Sequence, residues 1–372
     1  MPKLMLVANT DWYLYNFRLS LAQRARAEGY EVILVSPRGV FVKELEKAGF
    51  RWIEWPVGRQ TTLPWREIKA IGKLHKIYKS EIPDLVHHFT IKPVIYGSLS
   101  AGWLRTPRIV NSITGLGFAF VQQGFKARLA HLFAFTGYKK LLGRPGTTVI
   151  FENFSDQTFF IQHGLVSNDN SVLIEGVGVD VNQYHPVPEP EDKPLVIQAS
   201  RLLWDKGVGV LVDAARILHK SGTDVRVVLV GEPDPGNPAT IDLKQLKKWV
   251  AEGVVEWWGF QHDMPAIYQE STIVVLPSVR EGLPTALIEA AACGKPLIAT
   301  DVPGCRDVVL DGVNGILVPL QDPEQLARAI QTLLADRDLR KRYGAASRAL
   351  VLERFADTEI LQKTLKVYRG QG

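Results

Sequence analysis

Residues 272–289 read TIVVLPSVREGLPTALIE, and this stretch decides the fold. The run from Thr272 to Leu276 has the pattern of a buried strand in a parallel sheet. Small and apolar residues follow a short loop and predict a helix whose first turn contains Pro284, where proline is well tolerated. A buried strand, a loop and a helix in this order indicate an α/β protein.

Two carboxylates flank the start of this helix. Glu281 falls in the loop, and Glu289 falls about one turn inside the helix. The free N–H groups and the positive dipole end of a helix N-terminus favour a bound phosphate. A carboxylate on either side of that phosphate would suit the two polyols of a sugar nucleotide. The alternative is that both acids only complement the helix dipole.

Length and composition indicate a soluble protein of two domains. The chain has 372 residues, enough for two separate cores. No apolar run reaches the roughly 18 residues that a membrane span requires, and the first residues predict a buried strand rather than a signal peptide. Cys293 and Cys305 are too few for a disulfide framework or a four-ligand zinc site. We therefore expect a cytoplasmic protein.

Charge is unevenly distributed along the chain. Residues 1–150 contain 22 Lys or Arg and 9 Asp or Glu, whereas residues 151–372 contain 22 basic and 30 acidic residues. The basic half is expected to meet an anionic partner, which would be nucleic acid, lipid headgroups or a diphosphate-linked substrate. A solvated basic surface without a partner is the alternative.

Apolar runs alternate with amphipathic stretches throughout, which predicts two doubly wound, Rossmann-like α/β domains that face each other across a cleft. Four prolines indicate a stiff linker at 186–194. We place the N-terminal domain at 1–185 and the C-terminal domain at 195–350. A C-terminal helix at 351–372 is expected to pack back on the N-terminal domain. Ligands of such sheets bind at the loops that follow the strands.

Arg201 and Lys206 follow the predicted strand 195–200, and the loop between them ends in Gly207. Two cations opposite the Pro284 helix would neutralise a diphosphate through charge-assisted hydrogen bonds. The alternative is a pair of surface charges beside a turn.

The ordered set Ser-Arg-x4-Lys-Gly at 200–207, Gly259-Phe260, and Pro277 to Glu289 resembles the family 4 retaining glycosyltransferases with the GT-B fold. The resemblance covers essentially the whole chain. It implies that Arg201 and Lys206 bind the donor diphosphate, that Glu281 lies beside the donor sugar, and that Glu289 binds the ribose hydroxyls. It also implies that Gly259 and Phe260 contact the base of the donor. The phosphate contacts that it implies are made by Gly282, Leu283, Pro284 and Thr285.

Three segments of the first half, 9–18, 87–93 and 111–117, are similar to bacterial transferases that add N-acetylhexosamines or related sugars to polyprenyl-diphosphate-linked glycans. The resemblance implies a UDP-sugar donor and a polyprenyl-diphosphate-linked acceptor. It further implies a place at the inner face of the cytoplasmic membrane, in the synthesis of lipopolysaccharide, capsule or glycoprotein glycans. The acceptor-side candidates are Asn9, Asp11, Asn16, His88, Thr114 and Gly115.

The sequence departs from the family at one position. Many members carry a histidine that contacts the donor sugar where this chain has Thr114-Gly115, so no catalytic histidine is assigned there. His88 ends the preceding predicted strand and is a candidate for substrate contact. Its alternative is a structural role inside the sheet.

Basic and aromatic segments at 118–128 and 139–144, together with the lysine face of Lys69, Lys73 and Lys76, suit peripheral contact with an anionic membrane. Solvated helix faces are the alternative.

Other functions lack their motifs. The only Asp-x-Asp spacing, Asp336 to Asp338, falls in a polar helical stretch, and no His/Cys/Asp cluster has metal-ligand spacing, so we expect no metal or other cofactor. Neither a phosphate-binding loop of nucleotide hydrolases nor the glycine fingerprint of NAD enzymes is present. A sugar-nucleotide 2-epimerase of the same fold and a nucleic-acid- or lipid-binding module remain as alternatives.

Overall fold

The computed structural model forms two compact units, each built on one parallel sheet. The first unit comprises Met1–Val177 together with the C-terminal residues from Ile360, and the second comprises Gly178–Glu359. Two Rossmann-like domains, as the sequence predicts, are therefore confirmed. The structure describes residues 1–58, 63–114 and 137–371.

The first unit contains a seven-stranded parallel sheet in the order β3-β2-β1-β4-β5-β6-β7. Its strands are β1 Lys3–Val7, β2 Glu31–Ser36, β3 Arg51–Glu54, β4 Leu85–Phe89, β5 Arg108–Ile113, β6 Thr147–Phe151 and β7 Ser171–Leu173. Every residue of β4 is buried, because helices cover both faces of a parallel sheet. The strand order reverses at β1 and β4, so the loops that follow these two strands flank the switch point.

Helices connect these strands. They are α1 Asp11–Ala27, α2 Val42–Lys47, α3 Pro64–Glu81, α4 Ile91–Trp103 and α5 Phe154–Gln162. The hydroxyl of Thr10 accepts a hydrogen bond from the N–H of Tyr13 at 3.2 Å and caps α1. This cap starts α1 directly after β1 and holds the segment Asn9–Asp11 at the carboxyl end of that strand.

The second unit contains a six-stranded parallel sheet in the order β10-β9-β8-β11-β12-β13. Its strands are β8 Leu195–Ala199, β9 Arg226–Val230, β10 Glu256–Gly259, β11 Ile273–Leu276, β12 Leu297–Thr300 and β13 Gly315–Val318. Here β8 and β11 are neighbours at the switch point. The two motifs that the sequence singled out follow these two strands and therefore lie side by side.

The helices of the second unit complete the α/β alternation. They are α6 Val208–Lys220, α7 Leu243–Ala251, α8 Met264–Glu270, α9 Thr285–Ala292, α10 Cys305–Val308, α11 Pro323–Ala335 and α12 Arg337–Leu350, followed by a π-helical turn Val351–Phe355 and α13 Asp357–Tyr368. Apolar residues of α6, α11 and the strands form one buried cluster of this unit.

The proline-rich segment 186–194, where we placed the linker, lies inside the second unit, and the units divide at Val177 and Gly178 instead. An ion pair explains its attachment. The carboxylate of Glu189 accepts from the Arg340 guanidinium of α12 at 2.6 Å, and Arg340 is buried. Prolines stiffen the segment, but this contact fixes it to the second unit.

The end of α13 belongs to the first unit. The side chains of Ile360, Leu365 and Tyr368 are buried in the core of that unit. The Tyr368 hydroxyl hydrogen-bonds His87 Nδ1 of β4 at 2.6 Å. The last turns of the chain are thus part of the first domain's interior.

Candidate active site

The loops after β8 and β11 touch at the switch point of the second sheet. Gly207 ends the β8 loop with φ +69°, and a Cβ on this residue would lie 1.9 Å from the carbonyl oxygen of Pro277. Both the positive φ and the close approach require glycine here. The contact fixes the cation-bearing loop against the glutamate-bearing loop.

Lys206 and Glu281 form an ion pair across these loops. The Lys206 Nζ lies 2.7 Å from each carboxylate oxygen of Glu281, and the Ser278 hydroxyl donates to Glu281 Oε1 at 2.6 Å. The Glu281 side chain is only 9% exposed. The sequence predicted both residues at the site, but it did not predict that they pair with each other.

Arg201 has a carboxylate partner that the sequence analysis missed. Its Nη1 lies 2.6 Å from Asp234 Oδ2, and the Arg201 side chain is 50% exposed. Asp234 follows β9, and its N–H donates to the Thr240 hydroxyl at 3.0 Å, which fixes the loop. The signal was available, because Asp234 follows a predicted strand adjacent to β8, yet a single acid in a Gly-Glu-Pro-Asp loop carries little information.

Glu289 lies in α9, one turn from the helix N-terminus, in an enclosed environment. Burial raises the pKa of Glu289 from 4.5 to about 7, although hydrogen bonds from Tyr268 and Tyr184 lower it in part. The Tyr268 hydroxyl lies 3.1 Å from Glu289 Oε2. A carboxyl group that ionises near neutral pH and is held by two tyrosines can accept hydrogen bonds from a ligand's hydroxyl groups. The sequence did not indicate either tyrosine.

Of the predicted base contacts, Gly259 is the last residue of β10 and Phe260 follows it, at the same edge of the sheet. Gly259 adopts φ +67°, and the Phe260 N–H donates to Glu232 Oε1 at 3.2 Å. Phe260 is 55% exposed, so its ring is available to a ligand.

The phosphate-binding candidates Gly282, Leu283, Pro284 and Thr285 form the entry to α9. Pro284 is the residue before the helix rather than part of its first turn. A Cβ on Gly304 would lie 2.4 Å from the Gly282 carbonyl oxygen, so the glycine at 304 allows the loop to pack closely. The first N–H groups of α9 have no acceptor within the helix, as at every helix N-terminus.

Together these residues form a candidate anion-binding site in which the cations are paired with carboxylates. Each cation, Arg201 and Lys206, has one carboxylate partner, and the N-terminus of α9 adds a partial positive charge. A diphosphate would compete with Asp234 and Glu281 for the two cations.

The first-unit candidates are spread over several environments. Asp11 is buried, and its carboxylate accepts from the Phe41 N–H at 2.8 Å, so it braces the β2–α2 loop instead of facing a ligand. Asn16 is exposed and donates to the Trp12 carbonyl at 2.9 Å. Asn9 is half-buried at the carboxyl end of β1.

His88 does not occupy the substrate-facing position that we expected. It is fully buried, its Nδ1 lies 2.7 Å from Asn111 Oδ1, and its Nε2 lies 2.9 Å from the Tyr78 hydroxyl. The amide oxygen accepts, so Nδ1 carries the proton and Nε2 accepts from tyrosine. Burial lowers the pKa of His88 to about 4, and the ring stays neutral. Its role is therefore structural.

Of the predicted residues that come after β5, Thr114 lies in the described part of the chain and Gly115 does not. Thr114 is half-buried and follows β5. Gly115 and the aromatic tract 118–128 lie outside the described residues.

A buried ion pair of the first unit was not predicted. Arg18 of α1 and Glu152 after β6 are both buried, with Nη2 3.2 Å from Oε1. Burial raises the pKa of Glu152, and the Arg18 guanidinium offsets part of this effect. Arg18 also lies 4.4 Å from the Phe89 ring centroid. Their separation by 134 residues hid this contact from sequence analysis.

Within the residues that the structure describes, no group of three or more His, Cys, Asp and Glu side chains has the arrangement of a metal site. No helix in this part of the chain is both long and apolar enough to cross a membrane. Cys293 and Cys305 are buried free thiols.

Comparisons with known proteins match both units of the chain. The model for Glycosyl transferase 4-like proteins matches residues 3–150, and the model for Glycosyl transferases group 1 matches residues 182–350. The second match contains Arg201, Lys206, Glu281 and Glu289.

Relatives match over nearly the whole chain. N,N'-diacetylbacillosaminyl-diphospho-undecaprenol alpha-1,3-N-acetylgalactosaminyltransferase of Campylobacter jejuni is 29% identical over 370 residues, 95% of each chain. The capsular polysaccharide biosynthesis glycosyltransferase CapM of Staphylococcus aureus is 25% identical over 92% of this chain and 90% of CapM. The solved structure of Anabaena HepE in complex with UDP aligns over 100% of both chains with a TM-score of 0.78 and 22% identity.

Fold and site therefore define the class as glycosyltransferases with two Rossmann-like domains, the GT-B fold. The chain is a family 4-type glycosyltransferase, matched by its two family models over both units. The family resemblance seen in the sequence is confirmed.

Proposed function

We propose that this glycosyltransferase moves a sugar from a UDP-sugar to a polyprenyl-diphosphate-linked glycan, with retention of anomeric configuration and without a metal. One observation carries the proposal: the loop with Arg201 and Lys206 contacts the loop with Glu281 at a sheet switch point, and α9, which contains Glu289, begins directly after that second loop. The cations and the free N–H groups suit the phosphates of a sugar nucleotide, and the carboxylates suit the hydroxyl groups of its sugar and ribose.

The donor half of the proposal assigns one role to each group. Arg201 and Lys206 bind the diphosphate, Glu281 orients the donor sugar, and Glu289 accepts hydrogen bonds from the ribose. Gly259 and Phe260 contact the base, while Gly282, Leu283, Pro284 and Thr285 contact the phosphate. UDP as the nucleotide is supported by HepE, whose structure contains UDP.

Donor binding would rearrange the two ion pairs. The diphosphate takes Lys206 from Glu281 and Arg201 from Asp234, so both carboxylates are released when the ligand enters. Glu281 is then free to accept from the sugar hydroxyls. The bond between the anomeric carbon and the β-phosphate oxygen breaks, and both cations stabilise the charge that develops on the leaving diphosphate.

The acceptor oxygen forms the new bond on the face that the diphosphate leaves. Its proton passes to the departing phosphate oxygen, so the step needs no protein base. This assignment agrees with His88, which is neutral, buried and hydrogen-bonded at both nitrogens.

The acceptor and the cellular place follow from the relatives and from surface charge. The Campylobacter jejuni relative is named for a diphospho-undecaprenol substrate and N-acetylgalactosaminyl transfer, which supports an N-acetylhexosamine donor and a lipid-linked acceptor. CapM supports a role in surface polysaccharides. Exposed Trp65 and Ile68 next to Lys69 and Lys73 on α3 suit contact with the anionic inner face of the cytoplasmic membrane.

A donor screen tests the function. Release of nucleoside diphosphate from different sugar nucleotides is measured with and without a polyprenyl-diphosphate-linked sugar. Transfer requires both substrates, whereas epimerisation requires only the donor. Release that is independent of the acceptor, with no glycosylated product, contradicts the proposal.

Variants test the site. Arg201→Ala and Glu281→Ala are each expected to lower turnover by about 100-fold or more, because each removes a charge that acts on the donor. Arg216→Ala and Glu252→Ala are matched controls, since these residues form an exposed ion pair away from the switch point. Near-normal transfer by both site variants refutes the assignment.

A further inference from the structure

A cavity lies at the amino edge of the first unit's sheet, where its strands begin. Its volume is about 690 Å³, and its walls include the starts of β5 and β6 and the end of α13. Arg108 and Thr147 are the first residues of β5 and β6, which are parallel and adjacent. The acceptor-side candidates Asn9 and Thr114 follow β1 and β5 at the opposite, carboxyl edge. The volume is within the range of about 300–1,000 Å³ for small-molecule sites.

The lining of this cavity is cationic. Arg108, Lys139 and Arg144 line it, and Asp169 is the one acidic residue among its described lining residues. Within the described part of the chain, the side chains of Lys139 and Arg144 make no hydrogen bond or ion pair, although both backbone carbonyls accept one. Arg108 donates to the Tyr368 carbonyl through Nη1, which leaves its other N–H groups for a ligand. Like charges that converge on a concave surface attract anions.

Two further features indicate a site rather than a scattered surface charge. The Arg144 guanidinium lies against Gly102 of α4, where a Cβ would be 1.2 Å from Nη1, so the helix leaves a slot for this side chain. Thr147 is 4% exposed, and its Oγ1 has no partner among the described residues. A buried hydroxyl without a partner is costly unless water or a ligand satisfies it.

We propose that this cavity binds a phosphate-bearing anion at a site separate from the donor site. Guanidinium and ammonium groups are the side chains that recognise phosphate oxygens best. Through Arg108 and its bond to the Tyr368 carbonyl, the anion links the strand starts to the end of α13. The proposal concerns the first unit alone and does not rest on the proposed function.

Titration calorimetry with inorganic pyrophosphate tests the site. The background is the Arg201→Ala/Lys206→Ala variant, in which the proposed donor site has lost its cations. In this background we expect one pyrophosphate to bind. Adding Lys139→Ala/Arg144→Ala is expected to weaken binding by about tenfold or more, because two charge-assisted contacts are removed.

A matched control removes two charges elsewhere on the same unit. Lys79 and Lys140 are exposed and do not line the cavity. Lys79→Ala/Lys140→Ala in the same background is expected to change the affinity by less than about twofold, because only long-range screened charge is lost. Equal affinities for the two double variants, or no binding in the background protein, overturn the proposal.

A second variant keeps the test valid if the alanine double variant does not fold. Ser167 lines the cavity, is exposed, and donates its hydroxyl to Asn170 Oδ1 at 3.2 Å. Ser167→Asp loses this exposed hydrogen bond, which contributes little to stability, and adds a negative charge at the cavity wall. It is expected to weaken pyrophosphate binding by about tenfold, and unchanged affinity contradicts the site.

Vesicles identify the source of the phosphate. If the natural ligand is a lipid headgroup, phosphatidylglycerol vesicles displace pyrophosphate from the background protein. If it is a soluble phosphate, phosphatidylglycerol vesicles leave pyrophosphate binding unchanged. Displacement that is equal with and without Lys139→Ala/Arg144→Ala contradicts a cavity-bound phosphate.

Discussion

Glu289→Gln should make the protein more stable at neutral and alkaline pH. Burial raises the pKa of Glu289 from 4.5 to about 7 in the folded protein. At about 1.4 kcal/mol per pKa unit, ionising this group in the folded state costs about 3 kcal/mol more than in the unfolded chain. Glutamine has nearly the same shape, keeps an acceptor for Tyr268 and removes this cost.

The direction with pH follows from proton binding. Between pH 4.5 and about 7 the folded state holds a proton on Glu289 that the unfolded state has lost. The free energy of unfolding of the wild type therefore falls as pH rises through this window, while that of the variant does not. From pH 5 to pH 8 the variant should gain about 2.5 kcal/mol relative to the wild type.

Urea unfolding at pH 5, 6, 7 and 8 measures this difference. Glu270→Gln is the matched control, because Glu270 is an exposed glutamate at the end of α8. It should follow the wild type within about 0.5 kcal/mol at each pH. If the difference between Glu289→Gln and the wild type is the same at pH 5 and pH 8, the raised pKa is wrong.

Three other outcomes are expected. Gly207→Ala should lower the free energy of unfolding by about 2–4 kcal/mol in urea, because both a positive φ and backbone overlap oppose a Cβ. Gly222 has a similar φ of +72°, but a Cβ there would meet no atom within 4 Å, so Gly222→Ala should lower the free energy of unfolding by only about 1 kcal/mol. Equal losses for the two variants would show that the overlap of a Cβ at residue 207 with Pro277 costs nothing. Tyr78→Phe should destabilise by about 1–3 kcal/mol, since it leaves His88 Nε2 buried without a donor, and an unchanged unfolding midpoint contradicts this. UDP affinity measured by calorimetry should rise about tenfold from pH 6 to pH 8 as Glu289 ionises, and a flat profile would separate this residue from ribose binding.

The central strands of both sheets could be predicted from sequence because they are buried on both faces. The strands β3, β7 and β13 are short and lie at sheet edges. β7 has three half-buried residues and β3 has exposed ends, so neither shows a continuous apolar run. Edge strands bury less surface and leave a weaker pattern.

The main candidate-site residues could be located because they lie at or after the carboxyl ends of strands, and topology alone brings the β8 and β11 loops together. The side chains that pair with these residues could not be identified from the sequence. Asp234 and Tyr268 contact Arg201 and Glu289 only after the loops fold, at separations of 33 and 21 residues. For His88 the sequence indicated the position at a strand end but not the direction of the side chain, because the sequence is the same whether the side chain faces solvent or α3.

The position of α13 has a consequence for the order in which the protein can form. The second unit is one continuous segment, so its residues are all available once Glu359 has been synthesised. The first unit begins earlier on the ribosome, yet its core includes Leu365 and Tyr368, which emerge only after the whole second unit. During translation the N-terminal domain must therefore wait, with part of its sheet uncovered, while the later domain is completed first.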